Sequence, residues 1–270
     1  MSRPSKNSSD ATPGATHSRP ARLRLDRLLV DRGLVPSRER AQAMVLAGRI
    51  LVNEQKADKP GHQVAEDAAI RLLGEDLRYV SRGGLKLESA LSHWKINLTG
   101  RVCLDVGAST GGFTDCMLQH GAGRVLAVDT GYGQIAESLR RDPRVALMER
   151  TNARKLEPGS LPNGISFLAM DVSFISATLV LPAVKAAAGE ARSLEAVILV
   201  KPQFEAGREN IGKGGIVRDP QAHAAAIERV RACVLGLGAE SAEMLDSPIL
   251  GAEGNKEFLL HTVLPGLSLH

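Results

Sequence analysis

Four charged residues sit where a folded chain can use them for proton chemistry. Lys86 falls in Ser81-Arg82-Gly83-Gly84-Leu85-Lys86-Leu87, and Asp171 follows an apolar run in Met170-Asp171-Val172-Ser173-Phe174. Lys201 ends a second apolar run in Val200-Lys201-Pro202-Gln203-Phe204-Glu205, and Glu257 lies in Gly254-Asn255-Lys256-Glu257-Phe258. A lysine held close to a hydroxyl can stabilise the oxyanion as the proton leaves, or take that proton itself if its pKa is lowered. A carboxylate beside a lysine orients it and tunes its acidity. A lone Lys or Asp is most often a surface charge, so the constellation carries the argument, not any one member.

A second group of residues has the chemistry of a small-molecule cradle. Asp105-Val106-Gly107-Ala108-Ser109-Thr110-Gly111-Gly112-Phe113 follows an apolar strand-like run and opens a helix. Glycines at such a place let the backbone turn tightly and approach a ligand. Asp129 ends the next apolar run, 22 residues after Gly107. An acidic residue there can accept hydrogen bonds from both hydroxyls of a ribose. The spacing is not Gly-x-Gly-x-x-Gly, which argues against a nicotinamide dinucleotide and an oxidoreductase.

The elements that must carry these residues alternate in type from about residue 82. A helix over Leu85–Trp94 leads in. Strand-like runs follow at Val102–Val106, Arg124–Asp129, Val145–Met148, Phe167–Met170 and Ala196–Val200, with helices over Ser176–Ala188 and Pro220–Leu237. Glu240–Leu245 and Glu257–Val263 form a candidate terminal strand pair. Apolar strands alternating with helices predict an α/β fold: a doubly wound parallel sheet covered on both faces, with its ligand crevice at the carboxyl ends of the strands. Asp171 and Lys201 both reach that crevice in such a fold. The glycine- and charge-rich stretch Gly207–Asp219 reads as a mobile loop that can close over a polyanion, and Phe174 and Phe204 are candidate base-stacking rings or core residues.

The front of the chain is different. Leu25, Leu28 and Leu29 recur at helical spacing before Gly33, and Ser37 caps a second helix, Ser37–Ala47, that ends before Gly48. Strand-like runs Arg49–Asn53 and Ala69–Leu73 flank a turn at Lys59-Pro60-Gly61. Residues 1–60 hold 12 Lys and Arg against 6 Asp and Glu, although the whole chain carries only +4, so the basic surplus belongs to the front. Such a surplus suits a polyanionic partner. The predicted organisation is a flexible tail over 1–21, a small α+β domain over 22–76, a short joint over 77–81 and the α/β domain over 82–270.

Two resemblances follow from these residues. Arg24-Leu25-Asp26, Leu28-Leu29, Gly33-Leu34-Val35, Ser37-Arg38, Gly48 and Val52-Asn53 resemble the alpha-L RNA-binding motif of the small-subunit ribosomal protein four family. The resemblance implies that the helix carrying Arg38 and Arg40 faces structured RNA, with Arg24, Arg27 and Arg78 as further candidate contacts; arginine offers a planar fork of donors to phosphate. The pattern from Asp105 to Phe113 resembles the first motif of the S-adenosylmethionine-dependent methyltransferases. That likeness implies a Rossmann-like methyltransferase sheet, with Gly107 and its neighbours on the methionine part of the cofactor and Asp129 on its ribose. Lys86, Asp171, Lys201 and Glu257, with their flanks, resemble the Lys-Asp-Lys-Glu tetrad of the FtsJ-like ribose 2′-O-methyltransferases. The two domains together resemble the TlyA family, which fuses them; the likeness runs from about residue 22 to 264. It implies methyl transfer to a ribose 2′-hydroxyl of ribosomal RNA, of cytidine by family likeness. Lys201 is then the activating residue, Asp171 and Glu257 orient the lysines, and Lys86 helps place the ribose. The transfer needs in-line placement of oxygen, methyl and sulfur and no metal.

Composition excludes other classes. No apolar run approaches the ~20 residues of a membrane helix. The tail lacks a hydrophobic signal core, and its prolines oppose an amphipathic transit helix. Cys103, Cys116 and Cys233 fit no zinc spacing and read as reduced core residues of a cytoplasmic protein. A separate RNA-binding domain removes one reason to dimerise, so a monomer is expected. The competing reading is an RNA-binding ribosome-assembly factor with an idle methyltransferase domain, which replacement of Lys201 or Asp171 would have favoured. Some relatives of the family carry a haemolysin label, but the sequence offers no segment suited to membrane lysis.

Overall fold

The computed structural model describes residues 22–35, 37–73, 78–189, 193–251 and 254–266, so the predicted tail lies outside them. The chain divides into two compact units, Met1–Asp76 and Leu77–His270.

In the first unit, β1 (Arg22–Arg24) runs into α1 (Leu25–Asp31), followed by α2 (Arg38–Leu46), β2 (Ile50–Val52), β3 (Gln55–Lys56), β4 (Gln63–Ala65) and β5 (Ile70–Leu72). Ser37 starts α2 by accepting a hydrogen bond from the Arg40 amide, as its position before the helix predicts. β2 and β3 are joined by Asn53 and Glu54, both in the left-handed region (φ 49° and 63°), the backbone a tight two-residue hairpin requires. β2 also pairs with β5, and β1 pairs with β4, all antiparallel. Leu25, Leu28 and Leu29 of α1 pack on Met44, Val45 and Ile50 in a small core of their own.

The second unit takes in residues 78–81, read from the sequence as part of the 77–81 joint. They pack onto this unit: Tyr79 is buried, and the Val80 amide donates to Asp115. Then come α3 (Gly83–His93), β6 (Val102–Val106), α4 (Gly112–Gln119), β7 (Arg124–Val128), α5 (Glu137–Arg140), β8 (Val145–Met148), β9 (Ile165–Met170), α6 (Ala177–Ala187), β10 (Leu194–Val200), α7 (Pro202–Glu205), α8 (Pro220–Gly236), β11 (Ala242–Asp246) and β12 (Phe258–Leu264). One sheet runs β11-β12-β10-β9-β6-β7-β8. β10, β9, β6, β7 and β8 are parallel, while β12 is antiparallel to both β10 and β11, so the expected terminal pair closes the edge.

Side chains alternate between the two faces of the sheet, as the two-residue strand period requires. Leu104, Leu126, Leu168, Ile198 and Leu260 meet Val180, Leu181 and Val184 of α6 and Val230 and Val234 of α8. Cys103, Val125, Phe167, Val197 and Leu259 meet Leu87 and Leu91 of α3 and Phe113 and Met117 of α4. This double cover explains why the strands read as continuous apolar runs. The chain leaves β6 for β7 on one side and later adds β9 on the other, so the switch point of the sheet lies at the carboxyl end of β6.

Candidate active site

The glycine loop stands at that switch point. Gly107 has φ +88°, and a side chain there would come within 2.3 Å of the Asp171 carbonyl oxygen. Gly111 (φ +94°) starts α4, and a side chain on Gly112 would meet the Ser81 hydroxyl at 2.2 Å. The backbone is thus threaded between the ends of β6 and β9 and residue 81 with no room for Cβ atoms. Asp129, just past β7, accepts from the Ser109 amide at 2.7 Å through Oδ2 and from the Gly131 amide at 2.6 Å through Oδ1. Each oxygen keeps a lone pair, so the oriented carboxylate can still receive a pair of ribose hydroxyls. Asp105 is fully buried under the loop; Thr114 donates to its Oδ2 at 2.6 Å, and Oδ1 has no hydrogen-bond partner. Burial pushes its carboxyl up to about 7.

Two clefts meet here. One, of about 250 Å³, is lined by Ser81, Arg82, Lys86, Ala108, Thr110, Gly112, Phe113 and Leu250. The other, of about 460 Å³, is lined by Asp129, Thr130, Gln134, Asn152, Ser173 and Phe174. Gly107, Ser109 and Asp171 line both. A bipartite ligand with a ribose at one end and a charged amino-acid moiety at the other fits this arrangement. The Cβ-free cradle and the acceptor pair of Asp129 suit S-adenosylmethionine. Gly107→Ala is therefore expected to weaken cofactor binding by about 100-fold in calorimetry, since Ala must adopt a strained φ and displace the Asp171 carbonyl.

The four charged residues form two ion pairs. Lys201, at the end of β10, lies 2.5 Å from Asp171, at the end of β9, and donates to the Ser173 hydroxyl at 2.7 Å. The Asp171 contact is ionic rather than directed, because its Oδ1 accepts no hydrogen bond of good geometry. Lys86, on α3, lies 2.5 Å from Glu257, just before β12. Both members of this second pair are buried, and the Glu257 carboxylate packs so closely on Gly251 that a side chain there would overlap it at 1.9 Å. Sequence reasoning named no role for Ser173, though it stood two residues after Asp171. Glu205, the last residue of α7, is buried with its carboxylate at the start of α6, a contact that residue type and spacing do not signal.

The stretch Gly207–Asp219, read from the sequence as a mobile loop, is tied down towards its end. Val217 is buried, and Asn255 pins the end of the stretch: its Oδ1 accepts from the Val217 amide and its Nδ2 donates to the Gly215 carbonyl, both at 3.1 Å.

The candidate RNA contacts are mostly tied to acids. Asp26 is fully buried and receives Arg24 (2.8 and 3.0 Å), Arg38 (3.1 Å) and Gln42 (3.1 Å). The Arg24 guanidinium first, then Gln42 and Arg38, hold its carboxyl well below the usual range against the opposing effect of burial. Arg27 pairs along α1 with Asp31 at 3.3 Å, and Arg40 supplies the amide capped by Ser37. Arg78 pairs with Glu88 of α3 in the second unit. The first unit also holds a groove of about 580 Å³ lined by Arg22, Asn53, Gln55, Lys56 and His62, with no carboxylate in its wall.

Comparison with known proteins gives this geometry a family. Residues 79–263 match the FtsJ-like methyltransferase family, and residues 23–70 match the S4 domain. A candidate rRNA methyltransferase of Bacillus subtilis, YqxC, is 48% identical over 90% of this chain and 86% of its own length. The 16S/23S rRNA (cytidine-2′-O)-methyltransferase TlyA of Mycobacterium tuberculosis is 44% identical over 88% of this chain and 89% of its own. A solved structure from Streptococcus thermophilus, named as a candidate hemolysin, covers 91% of this chain and 89% of its own with 44% identity and a TM-score of 0.70. With an S4 domain in front, a methyltransferase sheet behind and relatives that align over both, this chain belongs to the FtsJ-like methyltransferase family, in the TlyA group.

Proposed function

We propose that this protein methylates a ribose 2′-hydroxyl of ribosomal RNA, the hydroxyl of a cytidine, with S-adenosylmethionine as donor. The observation that carries this reading is the pair of ion pairs, Lys201–Asp171 and Lys86–Glu257, beside a glycine cradle and a ribose-holding Asp129. Bound S-adenosylmethionine supplies an electrophilic methyl on a sulfonium. Asp129 orients the cofactor ribose, and Gly107 to Phe113 admit the methionine part. Lys201 faces the RNA hydroxyl; its ammonium, steered by Asp171 and Ser173, stabilises the alkoxide that develops as the proton leaves. Lys86, held by Glu257, positions the target ribose. Phe174, 91% exposed beside this group and 5.4 Å from the Phe204 ring, offers a face for the target base.

The S4 domain supplies the grip on RNA. The buried Asp26 holds the Arg24 and Arg38 guanidiniums in fixed, half-exposed poses, which lowers the entropy lost when they meet phosphates. Changing Arg38 and Arg40 together to Ala is expected to weaken RNA binding and to reduce the slope of log K against log salt by about 1.5, the share of two phosphate contacts. Filter binding at several salt concentrations reads this; an unchanged slope removes the RNA role of α2. The protein acts on ribosomal RNA or a ribosomal subunit in the cytoplasm, as a monomer.

The direct test is transfer of labelled methyl from S-adenosylmethionine to each isolated ribosomal subunit and to the free RNAs, with product nucleosides identified by mass. A 2′-O-methylated cytidine establishes the reading and names the subunit. Cofactor binding without transfer to any of them would favour an assembly factor with an idle domain. The hemolysin name of one relative raises membrane lysis; among the described residues no helix is long and apolar enough to cross a membrane. Leakage from liposomes by the purified protein is the measurement that would revive it.

A further inference from the structure

The loop between β9 and α6 carries three groups around Lys201. Asp171 pairs with its ammonium, Ser173 accepts a hydrogen bond from it, and Phe174 projects into solvent. Phe174 also has a left-handed backbone, φ +63°, which is unfavourable for a bulky residue. At 91% exposure its ring gains almost nothing from burial that would offset this. The short helix α7, which begins directly after Lys201, is tied to this loop.

Two of its residues reach across. Phe204 places its ring 5.4 Å from Phe174. Glu205, 2% exposed, reaches the start of α6: its Oε2 accepts from the Ser176 hydroxyl at 2.5 Å and its Oε1 from the Ala177 amide at 2.7 Å. Helix α6 does not need a carboxylate to begin, because Ser176 already caps it by accepting from the Thr178 amide at 3.2 Å. Burying a carboxylate is costly, so a second cap delivered from the neighbouring strand end calls for another reason. Its geometric effect is to lock residues 201–205 to residues 171–177. Glu205 lines neither cleft.

We propose that Glu205 is a positioning residue: it fastens the 171–176 loop to the Lys201 strand end, and so fixes Asp171, Ser173 and Phe174 around the reacting lysine. This rests on the reading of Lys201 and Asp171 as the reacting pair. Small displacements of reacting groups lower rates steeply, while cofactor binding, which also draws on Asp129 and the glycine loop, responds less.

The test uses full-length protein and the RNA or subunit methylated by the wild type. Glu205→Ala is expected to lower kcat by about 100-fold, and Glu205→Gln by about 10-fold, since the amide oxygen can still accept from the Ala177 amide. Ser176→Ala, which removes one of the two ties, is expected to fall in between and to add little to Glu205→Ala in the double variant. The S-adenosylmethionine Kd is expected to rise far less than kcat falls, because Asp171, Ser173 and Phe174 border the cofactor clefts while Asp129 and the glycine loop are not tied to Glu205. A normal kcat in both Glu205 variants overturns the proposal. So does a loss that tracks only a lowered melting temperature, or one matched by an equal loss of cofactor affinity. If Glu205→Ala does not fold, Glu205→Gln and Ser176→Ala decide by the same criteria. Lys201→Ala separates the two ideas: if it turns over normally, the reading of the site fails; if it is inactive while the Glu205 variants are normal, the clamp alone fails.

Discussion

Lys201→Ala is expected to lower methyl transfer by about 10³-fold with S-adenosylmethionine binding nearly intact, the range found when an anion-stabilising donor or a general base is removed. The reason is positional. Lys201 is 9% exposed, sits at the carboxyl end of β10, and has its ammonium aimed by Asp171 and Ser173. It lines neither cleft that fits the cofactor, so truncation removes stabilisation of the developing alkoxide without touching the cradle. Structural damage should be small, because Asp171 keeps 22% of its side chain exposed and can take up water. Single-turnover transfer together with calorimetric cofactor binding is the check. Normal turnover would move the activating role to another group. Lys201→Arg is expected to fail as well, because a planar guanidinium cannot take the place of a compact ammonium between Asp171 and Ser173.

Glu257→Ala has the largest expected effect on stability. Lys86 and Glu257 keep only 10% and 2% of their side chains exposed and lie 2.5 Å apart, on elements 171 residues apart in the chain. Removing one partner of a buried pair leaves an uncompensated charge and costs about 3–5 kcal/mol. For a unit of this size that is a fall of about 10 °C in melting temperature. Replacing both partners by apolar residues of similar volume, Lys86→Met with Glu257→Leu, is expected to recover most of the stability and none of the activity. Thermal melts and the methyl-transfer assay on the same three proteins decide it. A double variant that is active would remove the pair from the chemistry. A single variant that melts like the wild type would show that water reaches Lys86.

Much of this architecture was legible because its determinants are local. Val102–Val106 and Ala196–Val200 are buried on both faces, so they appear in the chain as unbroken apolar runs, and the structure places β6 and β10 there. Ser37 and Ser176 were legible as helix starts because a cap is a contact between near neighbours. The glycine loop declared itself because positive φ and close backbone approach exclude other residues. The small elements were not legible. β1 and β4 are three residues each and β3 is two, too short to show a period, and they exist through pairing between Arg22–Arg24 and Gln63–Ala65 and across the Asn53-Glu54 turn. The anchoring of Gly215 and Val217 was hidden for the same reason, since it depends on Asn255 some forty residues on.

Residue type and short-range spacing are enough to dictate the layered α/β plan, the basic front domain, the cofactor loop and the identity of four residues fit for proton chemistry. Which lysine meets which acid is set by the way the strands come together. Lys86 with Glu257, Lys201 with Asp171 and Ser173, Arg24 and Arg38 on Asp26, and Glu205 at the start of α6 are all choices among several equivalent partners. Charge attracts without regard to sequence distance; only the order of strands in the sheet, with β9 and β10 side by side and β12 returning beside β10, brings a given pair within reach and removes the water that would otherwise screen it.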